Sequence, residues 1–287
     1  RAFWRWVFND APAALWTRGE ERQAAALIKS AVATGQAPGT DSTGSIALVG
    51  AGPGAKDLLT LRAVQRLQEA DVIFYDRLVD PEVLELARRD ADRVYVGKEV
   101  GAHAWPQDRI DRLIVAEAAQ GRRVVRLKSG DPSVFGRATE ELEAARAAGI
   151  EVEIVPGITA ASAAAAAIGR PLTERGETDT FVISTGMCKP GDASPDRQLM
   201  ARPGTSMAFY MAVEKAAELQ ADLLSAGAPA ECPVEIVASA ETARQRHASA
   251  TLATMAECIE REGLASPAIL FVRYPKSMAA ARATRAA

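Results

Sequence analysis

Short apolar runs that alternate with helical segments constrain the fold of this chain more than any other feature. β-branched residues dominate the runs, and stretches rich in Ala, Leu, Glu and Arg separate them. The runs lie at residues 46–49, 71–75, 93–96, 123–127 and 151–155. Because strands joined by helical crossovers pair in parallel, the sequence predicts an α/β fold with a mostly parallel sheet in its first half.

A second set of strands follows an alanine-rich segment at 160–167. The pattern predicts a helix near 213–226 and strands at 180–184, 206–210, 234–238 and 268–272. Two α/β domains account for this order, and we place them at 44–157 and 158–275. The pattern of residues 1–36 predicts two amphipathic helices, so we expect a helical segment plus linker at 1–43. We expect a flexible tail at 276–287. The opening arginine suggests a piece of a longer protein.

Composition argues against several functional classes. Among the 287 residues no apolar run is long enough to cross a bilayer, and no signal-peptide pattern occurs, so we expect a cytoplasmic protein without membrane contact. A net charge of −3 gives no basic field for nucleic acid. Cys188, Cys232 and Cys258 lie far apart, and the chain has only two histidines, so we expect neither disulfides nor a metal site.

The loop 50–55, Gly-Ala-Gly-Pro-Gly-Ala, follows the first predicted strand and fits the G-x-G-x-x-A pattern of dinucleotide-binding proteins. In that pattern the helix begins within the glycine turn and faces a pyrophosphate. Here Pro53 and Gly54 extend the turn, and Asp57 or Thr60 is the predicted helix cap. The loop alone leaves open a dinucleotide, another nucleoside cofactor and a plain turn.

Three further positions stand at predicted strand ends, where open α/β sheets bind ligands. Asp76 is a candidate general base, and Lys98 follows the next strand; each alone also fits a turn aspartate or a solvated lysine. In the loop 128–132, Asp131 could bind a cofactor or form an ordinary Asp-Pro turn. Arg137 and Glu141 have the i, i+4 spacing of a solvated ion pair.

Several segments, taken in order, resemble the uroporphyrinogen-III C-methyltransferases. They are VIFYDRLV at 72–79, VGK at 96–98, RLKSGDP at 126–132, FGR at 135–137, VPGITAAS at 155–162, PLT at 171–173, TG at 185–186, FYM at 209–211 and PA at 267–268. The resemblance runs from about residue 45 to about residue 273. Residues before the linker resemble the end of the dehydrogenase/chelatase module of fused siroheme synthases.

This resemblance implies two α/β domains of the tetrapyrrole methylase type with an active-site cleft between them. It implies two methyl transfers from S-adenosyl-L-methionine to uroporphyrinogen III, giving precorrin-2 and S-adenosyl-L-homocysteine, without a metal. It also implies a homodimer, which the alanine-rich segment supports only if it does not pack within its own domain. Because the substrate carries carboxylates, arginines should line its site.

The resemblance also assigns residues. Asp76, Lys98 and Arg137 would be catalytic, and Arg137, Glu140 and Arg175 would lie near the tetrapyrrole. The implied cofactor contacts are Pro53, Ser129, Gly130, Asp131, Val134, Thr159, Ala160 and Met211.

The chain departs from the family pattern at several positions. Ser129 often is glycine in relatives, and Glu174 and Met187 stand where many have histidine. A glycine pair is replaced at 138–139, and an expected glycine is missing at 239–240. The alternatives are therefore a methylase of another precorrin, a nicotinamide-dependent oxidoreductase using loop 50–55, and a non-catalytic scaffold.

Overall fold

The computed structural model describes residues 2–34, 44–97, 105–188, 191 and 195–280. The strands are β1 (Ser45–Gly50), β2 (Val72–Tyr75), β3 (Asp92–Tyr95), β4 (Arg123–Lys128), β5 (Glu151–Val155), β6 (Thr180–Thr185), β7 (Thr205–Tyr210), β8 (Pro233–Ala238), β9 (Arg246–Thr251) and β10 (Ala268–Tyr274). The helices are α1 (Ala2–Asn9), α2 (Ala11–Thr17), α3 (Glu21–Thr34), α4 (Leu61–Glu69), α5 (Pro81–Leu84), α6 (Gln107–Ala119), α7 (Ala138–Ala147), α8 (Ala160–Ala167), α9 (Arg197–Met200), α10 (Ala216–Ser225) and α11 (Met255–Glu262).

The first sheet has the order β3-β2-β4-β1-β5, and each of its pairings is parallel. Its strands are mostly apolar because helices cover both faces, with α4 and α5 on one and α6 and α7 on the other. The predicted parallel sheet is therefore confirmed. The C-terminal ends of its five strands share one edge, which we call the carboxyl edge.

The second sheet is mixed, with the order β6-β7-β10-β8-β9. β6 and β7 pair in parallel, and the remaining pairings are antiparallel. The C-terminal ends of β6, β7 and β8 therefore share the carboxyl edge of this sheet. The edge strand β9 was not predicted, because its sequence, Arg-His-Ala-Ser-Ala-Thr, contains no large apolar residue.

The alanines of α8 pack within their own chain. Ala161, Ala164 and Ala165 are buried in a cluster that includes Ile269 and Phe271 of the second sheet. Small side chains let the helix lie close to the strands. The alanine-rich segment therefore gives no support for a homodimer.

The N-terminal segment forms three helices rather than the two that the pattern predicted. A bend at Asp10 separates α1 from α2, and Pro12 lies in the first turn of α2, where proline is tolerated. Trp6, Val7 and Ala31 form a small core there. The predicted linker at 37–43 and the end of the predicted tail at 281–287 lie outside the described residues. No helix in the described part of the chain is long and apolar enough to span a membrane.

Candidate active site

The glycine loop after β1 pairs with the loop after β4. The amide of Gly130 donates to the carbonyl of Gly52 at 2.7 Å, and Gly52 donates to Gly130 in return at 3.2 Å. The Ala51 amide also donates to the Lys128 carbonyl at 2.7 Å. Two loops that the sequence singled out separately therefore form one backbone surface at the carboxyl edge of the first sheet.

The loop after β5 approaches both of these loops so closely that side chains are excluded. A Cβ atom on Gly157 would lie 2.2 Å from the Gly130 carbonyl oxygen and 2.9 Å from the Gly50 Cα. Glycine is required here because backbone meets backbone. Asp131 fastens the approach, since its Oδ2 accepts from the Gly157 amide at 3.0 Å. Its Oδ1 accepts from the Ser133 amide at 2.8 Å and from the Ser133 hydroxyl.

Tyr210 joins the end of β7 to the start of α8. Its hydroxyl bonds to Thr159 Oγ1 at 2.6 Å and accepts from the Ala161 amide at 2.8 Å. Burial raises the pKa of Tyr210, so the phenol stays protonated at neutral pH. The Phe135 ring, from the loop after β4, lies 5.1 Å from the Tyr210 ring. Met211 follows and is 44% exposed, so its side chain can meet a ligand.

The loop after β8, in the second sheet, contacts the glycine loop after β1. A Cβ on Gly54 would lie 2.7 Å from Thr242 Cγ2, so the glycine loop and the β8 loop are in contact. Ser239 has φ +48° at a place where the family pattern expects glycine. The structure thus shows why glycine is favoured there: the backbone is left-handed.

Backbone strain is concentrated in this region. All the non-glycine residues with positive φ in the described ranges lie in the loops after β4, β7 and β8. They are Phe135, Arg137, Met211, Ser239 and Glu241. Each such conformation costs about 1–3 kcal/mol and persists only where surrounding structure imposes it, most often at functional sites.

Asp76 lies at the carboxyl edge beside these loops. It follows β2, which is the direct neighbour of β4, and its side chain is 30% exposed. Oδ1 accepts from the Leu78 amide at 3.1 Å, and Oδ2 lies 3.4 Å from a nitrogen of Arg126. The carboxylate is thus half-buried and oriented from two sides, as a proton acceptor requires.

The other predicted site residues fall into three groups. Pro53, Ser129, Gly130, Val134, Thr159 and Ala160 lie on the loops that meet at the carboxyl edge, and a Cβ on Gly130 would lie 3.8 Å from the Ala160 amide nitrogen. Arg137 precedes α7, is more than half exposed, and pairs with Glu140 at 2.9 Å rather than with Glu141. Lys98 lies outside the described residues.

Within this chain, Arg175 does not lie near the loops of the candidate site. It lies in a hairpin closed by Glu174 and Thr178, and that hairpin leads into the start of β6. Glu174, the departure from histidine, pairs with Arg273 near the end of β10, at 2.8 Å. β6 runs from this hairpin toward the carboxyl edge, so Arg175 lies at the opposite edge of the second sheet from Met211.

The structure lacks the helix that begins within the glycine turn of dinucleotide-binding proteins. α4 begins only at Leu61, with Thr60 as its cap, whose Oγ1 accepts from the Ala63 amide at 3.1 Å. A short 3₁₀ turn at Lys56–Leu58 separates the glycine loop from the helix. The glycine turn therefore does not open a helix, so it offers no free helix N-terminus to a pyrophosphate.

Sequence reasoning missed two parts of this site. Tyr210 was quoted only as part of a motif, and nothing in its local pattern predicts a bond to α8. Arg126 and Lys128 alternate with apolar residues on a buried strand, and burying charge requires partners. That alternation is a signal that could have predicted the ion network described below.

Comparisons with known proteins show to which family the chain belongs. The family model of tetrapyrrole (corrin/porphyrin) methylases matches residues 45–256. The siroheme synthase of Chromobacterium violaceum is 46% identical over 272 residues, which cover 95% of this chain and 57% of that protein. The chain thus spans somewhat over half the length of this curated relative.

Solved structures give the same result. The uroporphyrin-III C-methyltransferase from Thermus thermophilus, complexed with S-adenosylhomocysteine, is 38% identical with a TM-score of 0.69, and the match covers 80% of this chain and 97% of that one. A cobalt precorrin-4 methyltransferase shares the fold, with a TM-score of 0.72 at 24% identity, over 80% of this chain and 95% of that one. This chain belongs to the tetrapyrrole methylase family.

Proposed function

We propose that this chain is an S-adenosyl-L-methionine-dependent C-methyltransferase that methylates uroporphyrinogen III twice to give precorrin-2. The observation that carries the proposal is the meeting of the loops after β1, β4, β5, β7 and β8 beside Asp76. The likeness to the Thermus thermophilus enzyme, which holds S-adenosylhomocysteine, supports the choice of cofactor.

The residues present fit such a cofactor. It carries no phosphate, and it needs backbone groups that approach closely without a helix N-terminus. The glycines at 50 and 157 leave no room for Cβ atoms between the first three loops, and Gly130 has a left-handed backbone with φ +69°, so main-chain atoms form that wall. The residues that would hold the cofactor are Pro53, Ser129, Gly130, Asp131, Val134, Thr159, Ala160 and Met211. When bound, the cofactor supplies an electrophilic methyl group on a sulfonium.

The carbon that accepts the methyl group is a weak, neutral nucleophile, so the protein must supply orientation and proton transfer. In the proposed reaction Asp76 accepts the proton that leaves the tetrapyrrole as the new bond forms, and its contacts with the Leu78 amide and Arg126 support this role. Arg137 presents an exposed guanidinium that can hold a substrate carboxylate, with Glu140 fixing its direction. Lys98 keeps its proposed role as a proton donor or substrate clamp.

A binding titration separates this function from the oxidoreductase and the scaffold. We expect calorimetry to show one S-adenosyl-L-homocysteine bound per chain, and no heat with NADH under the same conditions. Tight NADH binding without binding of the thioether would overturn the proposal in favour of an oxidoreductase. Binding of neither ligand would favour the scaffold.

A methylase of another precorrin would bind the same cofactor, so substrate choice needs a second assay. We expect release of S-adenosyl-L-homocysteine with uroporphyrinogen III as sole acceptor. Release with precorrin-2 but not with uroporphyrinogen III would assign the chain to a later methylation. The homodimer and the cytoplasmic location belong to the proposal as family expectations, and sedimentation equilibrium of the purified chain measures the former.

A further inference from the structure

Two cations are buried on the face of β4 that packs against α6 and α7. Arg126 and Lys128 are each 5% exposed. Burial lowers the pKa of Lys128, and the charge of Arg126 lowers it further. Charges so far from water persist only with partners that replace their hydration.

Glu141 is the common partner of both cations. It is completely buried, and its Oε1 accepts from Arg126 Nε at 3.0 Å while its Oε2 accepts from Lys128 Nζ at 2.6 Å. Gln107 of α6 adds a third donor at 3.3 Å and also donates to Asp111 at 2.8 Å. Burial raises the pKa of Asp111 at this end of the cluster. The carboxylate of Glu141 is therefore fixed from three directions.

The guanidinium of Arg126 is fixed just as fully. Nη1 donates to the Leu127 carbonyl at 2.9 Å and lies 3.5 Å from the Phe74 carbonyl, on the neighbouring strand. Nε is bonded to Glu141, which leaves Nη2 directed at Asp76 Oδ2, 3.4 Å away. A guanidinium held this way cannot follow the Asp76 carboxylate if that carboxylate rotates. Arg126 therefore favours one orientation of the carboxylate, the one in which Oδ2 faces Nη2.

We propose that Arg126, locked by Glu141, is a positioning residue for Asp76. This inference rests on the proposed function, in which Asp76 accepts the proton. The Leu78 amide holds one carboxylate oxygen and Arg126 holds the other, so the two contacts together set the rotamer. Glu141 shares its single negative charge between Arg126 and Lys128, and Asp76 supplies the second negative charge beside Arg126.

The test is a double-mutant cycle between Arg126 and Asp76. We expect Arg126→Lys, which keeps the charge but loses the fork, to lower kcat about 10-fold, and Arg126→Met about 100-fold, with KM little changed. Arg122→Met is the matched control, because Arg122 precedes the same strand and pairs with Asp92 and Glu117 at the opposite edge. It should leave kcat within about twofold of the wild type.

The decisive arm uses the Asp76→Asn background, in single turnovers with enzyme in excess. If Arg126 acts through Asp76, Arg126→Lys should cause no further loss there, because the acceptor is already gone. A further 10-fold loss in that background, or a wild-type-background loss no larger than that of Arg122→Met, would overturn the inference. Should Arg126→Met fail to fold, Arg126→Lys and Glu141→Gln, each expected to lower kcat about 10-fold, keep the test intact.

Failure of the two proposals would look different. A wild-type chain that does not methylate uroporphyrinogen III overturns the proposed function before any variant is made. A wild-type chain that methylates, combined with additive effects of Arg126→Lys and Asp76→Asn, overturns only the positioning role.

Discussion

The two sheets serve the carboxyl-edge site in different ways. The first sheet is wholly parallel and brings charged groups to the site: Asp76 lies at its edge, and Arg126, Lys128 and Glu141 are buried directly behind. The second sheet is mixed and contributes mainly uncharged groups there, through Tyr210 and Met211. Under the proposed function, proton transfer belongs to the first sheet, whereas the second sheet contributes only to holding the cofactor, together with the loops of the first sheet.

Two ion pairs of the second sheet illustrate this contrast by their location. Arg273 pairs with Glu174, and Lys276 pairs with Asp179, where the hairpin meets the ends of β10. That edge is opposite to the one that holds Met211. These two ion pairs of the second sheet therefore lie away from the site, whereas Asp76 and Arg126 of the first sheet lie at it.

Substitution of Asp76, the carboxylate at the edge of the first sheet, should have the largest effect on activity. Asp76→Asn should lower kcat about 10³-fold, because the amide cannot accept the proton, while the melting temperature changes by only a few degrees. Steady-state release of S-adenosyl-L-homocysteine measures the rate. Asp92→Asn, the same exchange at the start of β3, is the control and should retain full activity. Equal losses in both variants would remove Asp76 from the chemistry.

The shared backbone wall should be the next most sensitive feature. Gly157→Ala puts a methyl group against the Gly130 carbonyl, so we expect a loss of about 1–3 kcal/mol in unfolding free energy. Affinity for S-adenosyl-L-homocysteine should fall at least about 10-fold, because the loops must separate. Gly149→Ala is the control: its φ is +68° but no atom lies near, so stability should fall without loss of affinity. Unchanged affinity in Gly157→Ala would contradict the proposed pocket.

A smaller effect is expected on the second sheet. Tyr210→Phe removes the hydroxyl that joins β7 to α8, at a cost of about 1 kcal/mol in stability. Affinity for S-adenosyl-L-homocysteine should fall about fivefold, while kcat at saturation stays close to wild type. Calorimetry and urea unfolding provide the two readouts, and Tyr274→Phe at the far edge is the control. A large fall in kcat with normal affinity would give Tyr210 a role in the methyl transfer itself. It would contradict the proposed difference between the two sheets.

The smallest effect concerns the buried lysine. Because the folded-state pKa of Lys128 is lowered, the unfolded chain binds more protons than the folded chain at pH values between that lowered pKa and 10.5. Stability from this group should therefore rise with pH across that window. Urea unfolding of wild type and Lys128→Met between pH 8 and pH 10 measures it. A stability difference between the two proteins that does not vary with pH would contradict the burial of a charged lysine.

Much of the fold follows from the sequence because its strands carry continuous apolar runs. The strands of the first sheet appear where the runs predicted them, to within about one residue at each end. β9 does not, since an exposed edge strand needs no apolar pattern and its pairing with β8 decides its conformation. The antiparallel pairing of β10 was likewise beyond the sequence, because periodicity carries no information on strand direction.

The candidate site was less predictable. Asp76 and the loops after β1, β4 and β5 could be found because parallel strands place their C-terminal ends at one edge. The bond between Tyr210 and Thr159 joins residues 51 positions apart, and only the packing of α8 on the second sheet brings them together. Arg175 shows the converse: a family motif names it, and the topology puts it at the other edge of the second sheet.

The central claim is tested most directly by the product. The purified chain should be incubated with uroporphyrinogen III and S-adenosyl-L-methionine that carries a deuterated methyl group, and the tetrapyrrole analysed by mass spectrometry and NMR. We predict two labelled methyl groups per tetrapyrrole, both on ring carbons, with two molecules of S-adenosyl-L-homocysteine released. A tetrapyrrole that gains no label, in a sample shown by calorimetry to bind S-adenosyl-L-homocysteine, would contradict the account.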